Sequence, residues 1–184
     1  MRSDAAQRRA TIVREARRLF AAFGGGIPLE SVAEASGVGI ATLYRNFESR
    51  AALTDAVALA ILADMQAAAA DGLVAMTDDP ATAWHGFVAR LVELDLGALT
   101  DALAHHVADD LSGPVRDAQV ETLARVEEVL AAAKAAGIVR ADLDALELVL
   151  AIGMVTRPQP AAIRAARPQL VPRLVEILEA GMRA

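Results

Sequence analysis

The sequence predicts an all-α protein of about nine helices, and three observations carry that expectation. Alanine, the strongest helix former, supplies 43 of the 184 residues. Apolar side chains recur at three- and four-residue steps in one segment after another, with few of the β-branched, alternating runs that make strands. Glycine and proline are sparse, 12 and 7 residues, and gather in short groups between those segments, where they end and begin helices. With 55% apolar and 23% charged residues, the chain has material for a real core and is neither disordered nor fibrous.

The first helix is expected from about Asp4 to Phe23. Ile12, Ala16, Leu19, Phe20 and Phe23 form its inward stripe, and arginines occupy its other faces. Gly24-Gly25-Gly26 stops it; the run follows a helix and lacks the Lys-Ser/Thr of a phosphate loop, so it is not read as a nucleotide site. Pro28 suits the first position of a short helix to Ser36, with Glu30 in the first turn and Val32 and Ala33 pointing inward. Gly37-Val38-Gly39 makes a tight break before a second short helix, Ile40 to Phe47. Leu43 and Phe47 lie one turn apart and face the core, so Thr42, Arg45 and Asn46 face elsewhere. Ser49 is placed to cap a long helix from Arg50 to about Leu73. Further helices are expected from about Pro80 to Leu96, Gly97 to Leu111, Val115 to Ala136 and Asp142 to Val155. A last one runs to Met182 after Pro158, Pro160 and Pro168.

The net charge of −6 argues on its face against an acidic polymer as partner. Its distribution reverses that reading. Residues 1–50 hold eight arginines against five acids, a net of +3, while the remainder carries −9. The longest stretch free of Asp, Glu, Lys and Arg, Leu19 to Leu29, has eleven residues, short of the roughly 20 that a membrane helix needs. Cysteine is absent and the arginine-rich start lacks the apolar core of a secretion signal. A cytoplasmic protein without disulfides and without a membrane partner is expected.

Two short helices joined by a tight Gly-containing turn, the second presenting polar groups outward, form the unit by which a helix enters the DNA major groove. Here the residues resemble a known family. Val32-Ala33-Glu34-Ala35-Ser36-Gly37-Val38-Gly39-Ile40-Ala41-Thr42-Leu43-Tyr44-Arg45-Asn46-Phe47, followed by Ser49-Arg50-Ala51-Ala52-Leu53, resembles the N-terminal helix-turn-helix signature of TetR/AcrR-family transcriptional regulators. The Thr-Leu-Tyr-Arg-x-Phe core is its most specific part, and the likeness covers roughly residues 9–56.

The resemblance implies a DNA-binding head in residues 1–50 and an effector-binding and dimerisation domain in residues 51–184. It implies a homodimeric repressor, released from a double-stranded DNA operator by a small apolar or amphipathic effector, with no cofactor, no metal and no enzymatic activity. The DNA-facing set is Glu30, Gly39, Ile40, Thr42, Tyr44, Arg45, Asn46 and Arg50. The hydroxyls of Thr42 and Tyr44 donate to phosphate oxygens. Arg45 suits a phosphate or guanine O6 and N7, and Asn46 adenine or a phosphate. Arg50 matches a position where lysine commonly neutralises a phosphate, and Arg2, Arg8 and Arg9 suit flanking contacts. Arg17 and Arg18 read as ordinary surface residues.

The chain departs from the common pattern at Pro28, where Thr is frequent, and at Gly39 and Ile40, where Ser and a basic residue are frequent. Side-chain hydrogen bonds are lost at these three places, and Ile40 can instead meet a thymine methyl. In the body, the helix Asp142 to Val155 is apolar all round, as a helix covered from two sides would be. With the last helix it resembles the family's dimer face, implying Leu146, Val149, Leu150, Gly153, Leu174, Ile177 and Leu178 at the interface. Met65, Trp84, Phe87 and His106 are the expected effector-pocket residues. His105 with Asp109 and His106 with Asp110 have metal-compatible spacing but no third ligand, so no metal is assigned. No Cys nucleophile or Ser/His/Asp set favours an enzyme. The alternative is a helical small-molecule-binding or partner-binding protein without operator affinity.

Overall fold

The computed structural model describes residues 2–94, 96–97 and 112–184. Nine helices of six residues or more occur among them: α1 (Arg2–Phe23), α2 (Leu29–Ala35), α3 (Ile40–Asn46), α4 (Arg50–Ala75), α5 (Pro80–Glu93), α6 (Gly113–Ala135), α7 (Ala145–Val155), α8 (Ala161–Ala166) and α9 (Leu170–Met182). The all-α expectation holds. The helix expected from Gly97 to Leu111 falls, apart from Gly97, outside the described residues.

The helix ends follow the local chemistry. Ser49, Asp79, Ser112 and Asp144 each cap a helix by accepting from a backbone N–H three residues on. Gly37 and Gly137 stand at φ +66° and +70°, where an L side chain is strained, and each closes a helix with paired bonds back to the last turn. At Gly37 these are Gly37 N–H to the Glu34 carbonyl and Val38 N–H to the Ala33 carbonyl, both 3.0 Å. This closure sets the turn between α2 and α3.

α4 is the axis of the molecule. It packs on α1 at one end and on α5 and α6 along the rest, burying Leu53, Val57, Ile61, Leu62 and Met65. By length and hydropathy, this 26-residue helix could also cross a membrane, because its aspartates are spaced widely enough to leave it apolar on average. In the fold, the face carrying Leu53, Val57, Ile61, Leu62 and Met65 goes into the protein core. One interior polar link joins α4 to α6: the Gln66 amide donates to the Thr122 hydroxyl at 3.1 Å, and Thr122 donates to the Ala118 carbonyl at 2.7 Å. Glu127 of α6 accepts the Ala145 N–H at the start of α7, fixing where that helix enters.

α7 buries Ala145, Leu148, Ile152 and Gly153 and leaves Leu146, Leu150 and Met154 exposed. Glu147 is the one charged residue of this helix, so the expectation of an apolar surface all round holds only apart from it, and the subunit covers one side of the helix and not the other. Two features were not foreseen. The short α8, none of whose residues is buried, interrupts the connector after α7. An isolated antiparallel bridge between Val139 and Arg183, with Arg140 N–H on the Met182 carbonyl at 2.9 Å, ties down the chain end.

Phe23 corrects the expected core. It is 68% exposed, whereas Ile12, Ala16, Leu19 and Phe20 are buried. Phe23 is the last residue of α1, and the chain turns away at Gly24, leaving no neighbour to cover its ring.

Candidate nucleic-acid interface

The recognition unit is built on two buried residues. Leu43 and Phe47 are almost fully buried with Ile12, Phe20, Val32 and Leu53 in the core of the head. Helical periodicity then forces Tyr44, Arg45 and Ile40 outward, and all three are exposed; Tyr44 is 48% exposed despite its large ring. Gly39 is exposed at the start of α3, and Glu30 is exposed in the first turn of α2. Neither α2 nor α3 has a side-chain cap: Pro28 and Gly39 occupy the cap positions. The departures seen in the sequence thus leave both helix starts without that hydrogen bond. Pro28 stands just before α2 rather than in its first turn.

The polar groups of α3 are linked to one another. Arg45 Nη2 donates to Thr42 Oγ1 at 2.7 Å, and Asn46 Nδ2 donates to the Thr42 carbonyl at 2.8 Å. Thr42 therefore orients the guanidinium beside it. Arg45 keeps further donors in its planar fork, the geometry that suits a phosphate or a guanine edge.

Arg9 and Arg50 hold the unit together from outside. Arg9 of α1 donates from Nη1 to the Asn46 carbonyl at 2.8 Å, while its guanidinium carbon lies 4.1 Å from the centre of the Phe47 ring. Arg50 donates from Nη1 to the Gly25 carbonyl at 3.0 Å and from Nη2 to the Ile27 carbonyl at 2.7 Å. Its charge is thus directed at the α1–α2 turn, two of its donors being used within the chain.

The head is also joined to the body through a residue that the sequence presents as plain surface. Arg17 of α1 pairs with Asp64 of α4 and donates to the Leu94 carbonyl at the end of α5. Its side chain is 22% exposed. Partners 47 and 77 residues away leave no mark in local spacing.

The expected pocket residues Met65, Trp84 and Phe87 are all buried in the body core, with the two rings tilted by 50° at 6.1 Å between centroids. Phe87 also lines an open cleft of about 470 Å³ between α4 and α5, beside Gly72 and Gly86. His105 and His106 with Asp109 and Asp110 lie outside the described residues. Among the described residues no group of three His, Asp or Glu side chains is placed to hold a metal ion.

Of the expected interface set, Leu146, Leu150 and Ile177 are exposed, and Val149, Leu174 and Leu178 are partly covered. Gly153 lies inside the subunit, its carbonyl against the backbone of Gly97.

Comparison with known proteins agrees with this architecture from end to end. A family model described as bacterial regulatory proteins of the tetR family matches residues 12–57. A second, for the C-terminal domain of SbtR-like transcriptional regulators, matches residues 79–184. Among solved structures, a TetR transcription regulatory protein from Mycobacterium vanbaalenii is 34% identical over 100% of this chain and 99% of its own, with a TM-score of 0.64. A TetR transcriptional regulator from Streptomyces coelicolor is 28% identical over 95% of this chain and 98% of its own, with a TM-score of 0.63. The regulatory protein TetR from Rhodobacter sphaeroides, 15% identical over 94% of this chain and 97% of its own, shares the fold with a TM-score of 0.61. No curated protein matches. The chain belongs to the TetR family of transcriptional regulators, and is a DNA-binding regulator rather than an enzyme.

Proposed function

We propose that the protein is a homodimeric, cytoplasmic repressor whose α3 helices read an operator and release it when a small apolar or amphipathic ligand enters the body. The observation that carries the reading is the outward row Ile40, Tyr44 and Arg45 on a helix anchored by buried Leu43 and Phe47. Arg45, Asn46 and Ile40 meet base edges; Thr42 and Tyr44 hold phosphates, with Gly39 allowing close approach and Glu30 at the rim. Arg50 acts mainly by fixing the α1–α2 turn, with its remaining donors available to a phosphate.

Dimerisation supplies the second recognition helix. Leu146, Leu150 and Met154 project from α7 at four-residue steps, and Ile177 projects from the adjoining α9. An isologous pairing of these faces buries them and sets two heads for half-sites about 34 Å apart. Ligand control would act through α4, which begins in the head at Arg50 and passes beside Phe87 at Gly72, one turn before its end at Ala75. A ligand that favours one tilt of α4 changes the separation of the heads and hence the operator affinity.

The test is binding of the purified protein to DNA flanking its own gene, followed by a screen of apolar and amphipathic compounds for release. Sequence-selective binding that a compound relieves supports the proposal. Binding that no compound relieves contradicts ligand control, and absence of selective binding contradicts the operator reading.

A further inference from the structure

The body is acidic overall, but one stretch of it is not. From Arg157 to Arg173 the chain carries four arginines and no acid, the nearest acids on either side being Glu147 and Glu176. This stretch forms the connector between α7 and α9, including α8. It folds over a cleft of about 650 Å³ whose walls come from the head as well as the body. Ala21 of α1, Val92 of α5 and Leu170 of α9 give the cleft an apolar floor, and Arg157, Arg164 and Arg167 lie along its side.

Arg164 donates from Nη1 to the Gln159 carbonyl at 2.7 Å, and Arg167 from Nη1 to the Ala166 carbonyl at 3.1 Å. These bonds hold each stem within its own connector. Neither guanidinium forms an ion pair among the described residues, and both are exposed. Most of the fork of each is therefore open to an oxygen-rich anion. Two guanidinium groups lining one cleft with an apolar floor match one kind of molecule: an anionic head with an apolar tail.

We propose that this cleft binds a small anionic amphiphile, its carboxylate or phosphate held by Arg164 and Arg167 and its tail laid against Leu170, Val92 and Ala21. The site is separate from the buried Met65, Trp84 and Phe87 cluster. Its position matters because Val92 precedes Leu94, whose carbonyl receives Arg17 from α1. A molecule seated here touches both sides of the link between head and body. The assignment goes beyond ligand-controlled repression, because occupancy is measured without DNA and stands or falls by itself.

The test is titration of the full-length protein by calorimetry with decanoate, with methyl decanoate as the uncharged counterpart and inorganic phosphate as the head alone. Saturable binding of one decanoate per subunit is expected, at least tenfold tighter than either control. The double variant R164A/R167A should weaken decanoate at least tenfold, R164K/R167K should retain most of the affinity, and R125A, remote from the cleft, should change nothing. Circular dichroism of each variant establishes that it is folded. Three results overturn the assignment: no saturable decanoate binding, decanoate binding indifferent to R164A/R167A, or an R164A/R167A defect confined to DNA affinity. The last would make the connector a phosphate-backbone contact instead.

Discussion

The Arg9 guanidinium lies 4.1 Å from the centre of the Phe47 ring and at the same time donates to the carbonyl of Asn46. One side chain of α1 thus clamps the end of the recognition helix through a cation–π contact and a hydrogen bond. Because Phe47 is buried and Asn46 is a DNA-facing candidate, the clamp fixes where the end of α3 sits. Arg9→Ala should destabilise the head by about 1 kcal/mol, with Arg9→Lys recovering part of it. Urea unfolding measures the loss; a variant as stable as the parent would mean that the contact is inert.

Thr42 and Arg45 should act as one unit on DNA. Thr42→Val keeps the side-chain volume but removes the hydroxyl that orients Arg45 at 2.7 Å. Each single change weakens operator binding, and the double variant should lose less than the sum, by about 0.5 kcal/mol or more. A double-mutant cycle on labelled operator DNA reads this coupling. Strict additivity would show that the two residues bind independently.

Two glycines should respond to alanine in opposite degree. At Gly37 a Cβ meets nothing within 4 Å, so the cost is only that of the backbone at φ +66°, about 1–2 kcal/mol. At Gly97 a Cβ would stand 2.3 Å from the Arg157 nitrogen and 2.6 Å from the Gly153 carbonyl oxygen. Backbone cannot swing aside as a side chain does, so Gly97→Ala should cost about 3 kcal/mol. Thermal unfolding of the two variants ranks them directly.

The α5 cap gives a pH-dependent contribution of defined sign. Bonds from the Thr82 hydroxyl and backbone N–H to Asp79 lower its pKa from the ordinary 3.8. The folded value lies below the unfolded one, so the carboxylate stabilises the fold above pH 3.8, and that contribution is lost as the pH falls through the lower, folded value. Asp79→Ala should therefore lower Tm at neutral pH, and the difference from the parent should shrink as the pH is taken below 3.8. A difference that persists unchanged in acid would remove the charge from the explanation.

Leu150→Glu and Ile177→Glu place charges on the exposed apolar face of α7 and α9. Neither side chain belongs to the subunit core, so the monomer should stay folded while dimerisation fails. Sedimentation would then show a monomer, and operator affinity should fall by at least about 100-fold as the second head is lost. A stable dimer carrying both substitutions would place the interface elsewhere.

Local signals made much of this architecture readable in the sequence. Glycine at 37, the cap at Ser49 and the Leu43–Phe47 spacing each act within a few residues, and each turned out as the sequence suggests. Phe23 did not, because periodicity cannot tell whether a neighbour waits beyond the end of a helix. The arginines were the least legible. Arg9, Arg17 and Arg50 find partners 23 to 77 residues away, so the same charge that suggested phosphate contacts is directed largely into the fold. The expected effector pocket rested on a few large side chains, of which Met65, Trp84 and Phe87 are packed into the core.

Reading of DNA by α3 through Arg45 is tested most directly by the operator affinity of the parent and of Arg45→Ala across a salt series. The logarithm of the parent's affinity should fall linearly with the logarithm of salt, and the variant should bind about 1–3 kcal/mol more weakly. Affinity indifferent to salt, or unchanged in Arg45→Ala, would contradict it.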